Sequence, residues 1–437
     1  MVLFVAKSFT SSAQTNNSPY SIFGIGDIEN NYYDRSSGMG NSGIGLSSGK
    51  YIYQANPASL GQLESHYFTV EFGGNYKYVS YTGNPIGTIT TPTSQQFQMT
   101  RFVLAVKPKP YWGVGIGLMP YSSSNYTFFS IKNVQGSNTA SIPAYYEGSG
   151  GLNQVFLTNA LNINRHFSLG IRASFIFGSL QQSETLYPVG AVSTPENPLP
   201  LSNQLNTLNL LAFRNFNYQG GLQYRTKLSK KWGLSLGAVG SSKTNFSPEH
   251  RVTLTEGNPA NGLPTTLVND SLMANSRFTI PFAYGGGLSL NYDGQITLAA
   301  DYKRQNWSDV QNPTNGSYTF NNSERWSGGL EYAIPKTAPF RGQLLSYEKY
   351  FFQVGGFRSK DYLRIRGTQL TNTGITLGVG INGNPARSTT LSYLSYMLNF
   401  QFGTLGTTSN NLIKQNYLQV GFIISYRDFW QPRIALD

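Results

Sequence analysis

Few residues in this sequence could carry catalytic or metal chemistry. The chain has three histidines, His66, His166 and His250, which lie far apart without metal-ligand spacing, and it has no cysteine. Zinc sites, iron–sulfur clusters, thiol catalysis and disulfides need those residue types in defined patterns. A hydrolase would also need a nucleophile with a positioned base. We therefore predict no enzyme activity, no catalytic residue, no metal site and no cofactor.

Charged side chains instead recur on the polar face of predicted strands, where alternation places Glu71, Arg172, Arg225, Asp301, Lys303, Arg325 and Glu331. Arginine and lysine recognise carboxylates through charge-assisted hydrogen bonds. We therefore expect Arg172, Arg225, Lys303 and Arg325 to be candidate ligand-binding residues. The alternative is a network of buried charges that pair with one another and with the N-terminal segment.

The elements that would position these residues are strands. Every second residue from Phe167 to Phe177 is apolar, and this period is typical of a strand with one apolar face. Most such segments reach the roughly 9–11 residues that a transmembrane strand needs. Fourteen follow residue 65, at 66–80, 96–107, 112–129, 142–163, 167–181, 207–227, 232–244, 273–291, 295–306, 323–334, 349–360, 374–382, 391–402 and 416–429.

Composition favours a membrane barrel. The chain has 437 residues, of which 12% are charged and 14% aromatic. A wall that is apolar outside, polar inside and ringed by aromatic residues has this composition, whereas a disordered chain lacks aromatics. The net charge of +12 could attract lipopolysaccharide or acidic lipid. The alternative is a scattered surplus, because no block of five basic residues occurs.

The predicted connections alternate between long and short. Long connections are expected at 81–95, 130–141, 182–206, 245–272 and 307–322, and short ones at 108–111, 164–166, 228–231 and 292–294. This is the pattern of outer-membrane barrels. The gap 335–348 should be short by this rule but is predicted to be long. With an even strand count, both termini are predicted to be periplasmic.

The N-terminal segment differs from the rest of the chain. Residues 1–14 resemble the end of a secretory signal peptide, with apolar residues at 2–6 and small residues near Ala13. Residues 15–62 are rich in Gly, Ser and Asn, have no long apolar period and contain Asn56-Pro57-Ala58. We predict that 15–62 form a plug inside a barrel of residues 63–437, since an irregular backbone at membrane depth needs a polar interior.

The order of these features resembles the FadL/TodX family of outer-membrane transporters for hydrophobic compounds. The resemblance rests on residues 18–27 (SPYSIFGIGD), Gly38-Met39-Gly40, Asn56-Pro57-Ala58, Gly150-Gly151-Leu152-Asn153 and the aromatic pair Phe429-Trp430. It covers nearly the whole chain. It implies a barrel of about fourteen strands, an N-terminal plug, and a plug-anchoring role for Gly38, Gly40, Asn56, Pro57 and Ala58. No motif for ligand-binding residues can be transferred.

The resemblance also implies a function. The leading expectation is facilitated diffusion of hydrophobic small molecules, with long-chain fatty acids as substrates, through the outer membrane of a Gram-negative bacterium. Expected partners are membrane lipid, lipopolysaccharide and the hydrophobic ligand, with no nucleic acid. The alternative is an accessory barrel in an outer-membrane secretion machine, like the shuttle of type IX secretion, or in an assembly machine, with other outer-membrane proteins as partners. A transporter predicts an apolar pocket and a break in the wall, and an accessory barrel predicts a filled lumen.

Overall fold

A computed structural model gives the structure of residues 18–83, 93–133, 141–187, 204–257, 264–273, 277–311, 318–340, 343–385 and 392–430. The signal-peptide prediction for residues 1–14 lies outside these ranges. None of the helices in the described residues is long and apolar enough to cross a membrane.

Fourteen antiparallel strands close into a barrel, as predicted. Its strands, in order around the wall, are β2 (Tyr67–Gly83), β3 (Thr93–Lys109), β4 (Trp112–Ser123) continued by β5 (Tyr126–Asn133), β6 (Ser141–Asn162), β7 (Phe167–Leu186), β8 (Leu205–Lys227), β9 (Trp232–Ser241), β14 (Ala283–Tyr292), β15 (Ile296–Gln305), β17 (Ser323–Phe340), β18 (Gln343–Ile365), β19 (Thr368–Asn382), β20 (Tyr393–Leu405) and β21 (Ile413–Phe429). Strand β21 pairs with β2 from Tyr67↔Phe429 to Gly83↔Ile413, which closes the cylinder.

Alternation along the strands sorts side chains between membrane and lumen. Leu169 and Ile171 on β7 are 40% and 56% exposed on the outer surface, whereas Arg172 is buried on the inner side. Glu71, Asp301 and Arg325 are buried as well. The predicted inward orientation is confirmed for these residues. The outer apolar surface contacts membrane lipid, since a bilayer core solvates apolar side chains.

Two predicted loops are wrong because strands continue through them. The gap 335–348 is filled by the ends of β17 and β18, which pair from Pro335↔Glu348 to Phe340↔Gln343. A short connection is thus compatible with this position, but the alternation does not extend to the C-terminal strands, because β18 and β19 are joined by two residues and β19 and β20 by ten. The predicted loop 245–272 contains β10 (Thr244–Phe246), β11 (Glu249–Glu256) and most of β12 (Thr265–Met273), and the predicted strand 273–291 starts only at Ala283, after the short strand β13 (Phe278–Ile280). A further short strand, β16 (Tyr318–Phe320), precedes β17.

The two ends of the barrel differ. One end, called here the short-turn end, carries the connections 110–111, 163–166, 228–231 and 293–295, together with the longer connection between β19 and β20. At the opposite end, β8 extends past β9 and pairs with β11, which pairs with β12. The predicted gap between 360 and 374 there is a two-residue turn, Arg366-Gly367, with φ of 49° and 75°. Such positive angles are those of a hairpin turn of type I′.

The segment from Ser18 to His66 precedes β2 and lies inside the barrel. Its regular structure consists of 3₁₀ turns at Pro19–Ile22, Arg35–Met39 and Pro57–Gln62 and the two-residue strand β1 (Asp27–Ile28). Two further 3₁₀ turns lie in connections, at Trp307–Asp309 and Ser409–Asn411. Residues 33–46 and 51–61 are buried throughout. We call residues 18–66 the inner segment.

Candidate functional site

The Asn56-Pro57-Ala58 motif packs tightly against the barrel wall. Asn56 is fully buried, and its side-chain amide donates to the carbonyls of Ile44 and Leu222 at 3.0 and 2.9 Å. Its Oδ1 accepts from Ala58 N at 3.0 Å, capping the 3₁₀ turn that follows. A Cβ on Gly221 of β8 would lie 2.1 Å from Asn56 Oδ1. A glycine in the wall is therefore required for this close approach.

Gly38-Met39-Gly40 packs in the same way on β17, β18 and β19. Gly40 has φ of 69° and donates its N–H to Thr376 Oγ1 at 2.8 Å. A Cβ on Gly329 or Gly355 would lie 2.5 Å from the backbone of residues 39–40. Wall glycines thus face both motifs, Asn56-Pro57-Ala58 and Gly38-Met39-Gly40, at close contact.

Arg35 connects the inner segment to two wall carboxylates. Its guanidinium donates twice to Glu331, from Nε at 2.9 Å and from Nη2 at 2.8 Å, and once to Glu348 at 2.8 Å. The rings of Tyr51 and Phe351 lie on it, each with a centroid 4.1 Å from Cζ. The side chain of Arg35 is 3% exposed. A bidentate pair with further hydrogen bonds is the geometry in which a buried ion pair is best compensated.

Arg101 and Arg172 fix the inner segment from the other side. Arg101 pairs with Glu71 and donates to the carbonyls of Tyr32 and Ile52, both at 3.2 Å. Arg172, a predicted ligand-binding residue, donates to the backbone oxygen of Gln54 at 2.8 Å and to its side-chain oxygen at 2.5 Å. Both guanidinium groups are engaged in holding the inner segment. Arg101 was missed by the sequence reading, although it also lies in a predicted strand.

The other predicted ligand-binding residues lie in two places. Arg225 is near the short-turn end, where Nη1 donates to Gln223 at 3.0 Å and the buried Nη2 has no hydrogen-bond partner. Lys303 and Arg325 line a cavity in the middle of the lumen. The four residues therefore do not form one site, and only Lys303 and Arg325 lie together.

The barrel wall is interrupted between β3 and the strand formed by β4 and β5. Strand β3 pairs with β4 only from Phe102↔Leu118 to Lys109↔Trp112. Beyond these pairs, residues 93–101 pair with β2 alone, and residues 119–133 pair with β6 on their other side. Pro120 lies where pairing ends and has no N–H to donate. We call this interruption the wall break.

The start of the inner segment covers the wall break from within. Strand β1 pairs with β4 at Asp27↔Ser123 and Ile28↔Ser122. Ser18 N donates to Asn125 O at 2.9 Å, and Ser124 Oγ donates to Ser21 O at 2.8 Å. Backbone groups that a neighbouring wall strand would satisfy are therefore satisfied partly by the inner segment.

An aromatic cluster fills the lumen toward the end opposite the short turns. Trp307 is fully buried, and its ring centroid lies 4.4 Å from that of Tyr362 and 5.6 Å from that of Phe320. Phe278 adds edge contacts to this group and to Phe213. These side chains belong to the largest apolar cluster of the described residues. The space inside this part of the barrel is occupied by the protein itself.

The lumen of the described residues also contains a polar cavity. Its volume is about 250 Å³. It reaches from Gln96, Gln98 and Ser123 at the wall break to Lys303 and Arg325 on the opposite wall. Its lining includes the charged residues Asp27, Glu29, Lys77, Arg304, Glu324, Lys360 and Asp361. The apolar pocket expected for a fatty-acid transporter does not coincide with this cavity.

The chain was compared with known families and structures. The family model BamG matches residues 1–436. The chain belongs to the BamG family. A search of curated proteins finds no match for this BamG chain.

Solved structures of outer-membrane channels share the fold of this BamG chain. The CymD monoaromatic hydrocarbon channel is 16% identical, with a TM-score of 0.55 over 94% of this chain and 98% of CymD. A FadL homologue of Pseudomonas aeruginosa is 14% identical, with a TM-score of 0.56 over 90% of this chain and 97% of the homologue. The toluene transporter TodX of Pseudomonas putida is 14% identical, with a TM-score of 0.56 over 93% and 99%. The predicted FadL/TodX-like barrel is confirmed.

These findings show that the BamG chain has the fold of a FadL-type barrel. The described residues contain no group of three metal-ligating side chains. Residues 45–49 read Gly-Leu-Ser-Ser-Gly, the spacing of a hydrolase nucleophile elbow, but no strand leads into them and no helix follows. The structures that share the fold are described as a hydrocarbon channel and a toluene transporter.

Proposed function

We propose that this chain is an accessory barrel of an outer-membrane assembly or secretion machine. The observation that carries the proposal is the occupied lumen. The inner segment fills one part, the aromatic cluster around Trp307 fills another, and the remaining cavity is polar. A hydrophobic ligand would have to displace side chains of the aromatic cluster, because protein interiors are close-packed and contain few voids larger than a water molecule. Membership of the BamG family is compatible with a role other than that of the hydrocarbon channels.

A projecting hairpin offers a surface for a protein partner. Residues 335–340 of β17 pair only with residues 343–348 of β18, so this part of the two strands is a two-stranded hairpin about 20 Å long. Ala338 and Tyr347 on one of its faces are buried. Leu344 near its tip is 76% exposed, more than any other large apolar residue in the described part of the chain. Two-stranded hairpins are marginally stable by themselves. Binding of a partner would bury Leu344 and stabilise the hairpin.

Native mass spectrometry of the protein extracted gently from its own outer membrane tests the proposal. We expect partner chains in fixed stoichiometry, and we expect Leu344→Ser to reduce their occupancy at least tenfold. Leu267→Ser is the matched control, since Leu267 is 51% exposed on β12 at the opposite end. A single chain that carries the mass of a bound lipid, with no partner, would contradict the accessory role.

The second candidate function is passage of hydrophobic small molecules through the wall break. Two observations favour it: the break opens beside the cavity, and CymD and TodX are described as a hydrocarbon channel and a toluene transporter. Long-chain fatty acids are the least supported substrates, because the cavity that the break adjoins is lined by charged and amide side chains. Uptake of toluene into vesicles that contain the purified protein, against empty vesicles, measures this activity directly.

We further infer that residues 15–62 act as a plug and that both termini face the periplasm. The plug inference is supported by the burial of the inner segment and by its ion pairs with the wall. The periplasmic side is supported by the short turns, which lie at the end where the inner segment enters β2. Deletion of residues 18–60 should raise the conductance of the barrel in a planar bilayer. Unchanged conductance would contradict the plug.

A further inference from the structure

Two cations face each other directly on the lumen side of the wall. In the register of β15 and β17, Lys303 is the cross-strand partner of Arg325. Both line the central cavity of about 250 Å³, and Arg325 is 8% exposed. Like charges directly opposite each other on one face of a sheet destabilise it.

In the described residues, no carboxylate around the cavity forms an ion pair with Lys303 or Arg325, although Asp301 and Glu29 attract Arg325 over a longer distance. Asp301 accepts hydrogen bonds from the backbone N–H groups of Gly43 and Ile44 at 2.6 and 2.9 Å. Glu324 forms ion pairs with Arg304 and Lys360 at 3.1 and 3.3 Å.

The remaining acidic residues of the lining are Asp27, Glu29 and Asp361. Glu29 accepts from the N–H of Asn31 at 2.9 Å and from the Tyr33 hydroxyl at 2.6 Å, both within the inner segment. Within the described ranges, no carboxylate lies within 4.0 Å of Lys303 or Arg325 in an ion pair.

Both cations keep donors free for a ligand. The Nζ of Lys303 lies 4.4 Å from the centroid of the Tyr32 ring. Arg325 donates from Nη2 to Gly40 O at 3.1 Å, and its guanidinium lies 4.1 Å from the centroid of the Phe357 ring. Lysine has three N–H donors and arginine five. These contacts hold the two side chains in place without neutralising their charges.

We propose that an oxyanion binds in the cavity between Lys303 and Arg325. A phosphate or carboxylate group would convert the repulsion into two charge-assisted contacts. The rest of the lining suits a hydrophilic ligand, because it presents side-chain amides that can donate or accept: Asn75, Gln96, Gln98, Gln219, Asn372, Gln401 and Gln419. The oxyanion is either a free solute or the head group of an amphiphile. This site goes beyond the accessory role and does not depend on it.

The dimensions limit the ligand to a small molecule. Pockets for drug-sized ligands have volumes of roughly 300–1,000 Å³, and this cavity is smaller. Its contact with the wall break through Gln96, Gln98 and Ser123 gives an amphiphile a place for its chain. A free ion needs no such space. The two sources of the oxyanion therefore predict different behaviour toward chain length.

Calorimetric titration of the purified full-length barrel with inorganic phosphate and with octanoate, at constant ionic strength, tests the proposal. We expect at least one probe to bind, with affinity reduced at least tenfold in Lys303→Met and further in the double variant with Arg325→Met. Binding of phosphate identifies a free oxyanion, and binding of octanoate alone identifies an amphiphile head group. Absence of binding by both probes would overturn the proposal.

Arg304→Gln is the matched control. Arg304 is the next residue on β15, and alternation places its side chain on the outer face, where Glu324 already neutralises it. This variant should therefore bind the probe within twofold of wild type. Removal of like-charge repulsion should also leave the ligand-free double variant at least as resistant to guanidinium as wild type. Equal probe affinity in wild type and the double variant would overturn the proposal. The purified barrel contains no partner chain, so failure here is distinct from failure of the accessory role.

Discussion

At the scale of single residues, the stability of the inner segment depends on a few buried charges. Arg35 is the clearest case, because Glu331, Glu348 and two aromatic rings surround it. The side-chain amide of Gln353 also donates to Glu331 at 2.5 Å and to Arg35 O at 2.7 Å. All three nitrogens of the Arg35 guanidinium and both carboxylate oxygens of Glu331 thus have partners. Removal of one member leaves an opposite charge buried without compensation.

Arg35→Met is therefore expected to lower the free energy of unfolding by about 3–5 kcal/mol. Guanidinium unfolding in detergent, followed by tryptophan fluorescence, measures the loss. The double variant with Glu331→Gln should recover part of it, because the uncompensated carboxylate is then gone. Arg251→Met is the control for an exposed pair with Glu249 and Asp270, and it should be nearly neutral. Equal losses in Arg35→Met and Arg251→Met would contradict this account.

Glu348 should make stability depend on pH. It lies in the part of β18 that extends past the barrel rim. Burial raises its pKa, but Arg35 more than offsets this effect and holds the pKa below its ordinary value of 4.5. A depressed pKa in the folded state stabilises the protein above pH 4.5, and this stabilisation is lost as the pH falls through the folded pKa. The unfolding free energy of wild type should therefore fall more steeply below pH 4.5 than that of Glu348→Gln. If the unfolding free energies of the two proteins fell equally steeply below pH 4.5, this role of Glu348 would be contradicted.

At the scale of elements, close contact between the inner segment and wall glycines decides how the strands and the segment fit. Adjacent glycines of β8 show the contrast: a Cβ on Gly221 would meet Asn56 and Pro57, whereas a Cβ on Gly220 would have no atom within 4 Å. Gly221→Ala should therefore cost about 1–3 kcal/mol of overpacking. Gly220→Ala, on the same strand, should be neutral or slightly stabilising. Protease cleavage of the inner segment under native conditions measures both, and equal cleavage rates would be inconsistent with this packing.

The sequence pattern predicted strands correctly where one face of the strand is apolar and contacts lipid. It predicted loops in place of strands where neither face contacts lipid. Period two identified all fourteen spans, since the membrane imposes an apolar outer face on each. The hairpin 335–348 lies past the rim and has no such face, so its prolines were read as loop. A break in the wall was expected of a transporter, but its position between β3 and β4 was not predicted. It depends on Ser124 N donating to Gly150 O at 3.0 Å and on pairing with β1, which are contacts between distant parts of the chain.

At the scale of the whole molecule, the prediction that charged side chains face the lumen was confirmed. Which of them bind the inner segment and which face the cavity could not be predicted. Arg172 and Lys303 have the same pattern in the sequence. The path of the inner segment places Gln54 beside Arg172 and leaves Lys303 facing the cavity. Alternation with a period of two predicts whether a side chain faces the lumen or the membrane. Its position along the barrel axis and its neighbours across the lumen depend on how the barrel closes and on the path of the inner segment.

A disulfide between the inner segment and the wall distinguishes the two candidate functions at this scale. The chain has no cysteine, and Ile28 is the cross-strand partner of Ser122. Directly paired residues lie about 4.5–5.5 Å apart between Cα atoms, within the range of a disulfide. Ile28→Cys with Ser122→Cys should therefore cross-link on oxidation, as measured by mass spectrometry of the intact chain, and fix β1 across the wall break.

If the chain is an accessory barrel, oxidation leaves partner occupancy unchanged, because the break takes no part in binding. If molecules pass through the break, oxidation abolishes toluene uptake and reduction restores it. The accessory role predicts the first result, and reversible loss of uptake would favour the second candidate, because only passage through the wall requires the inner segment to move.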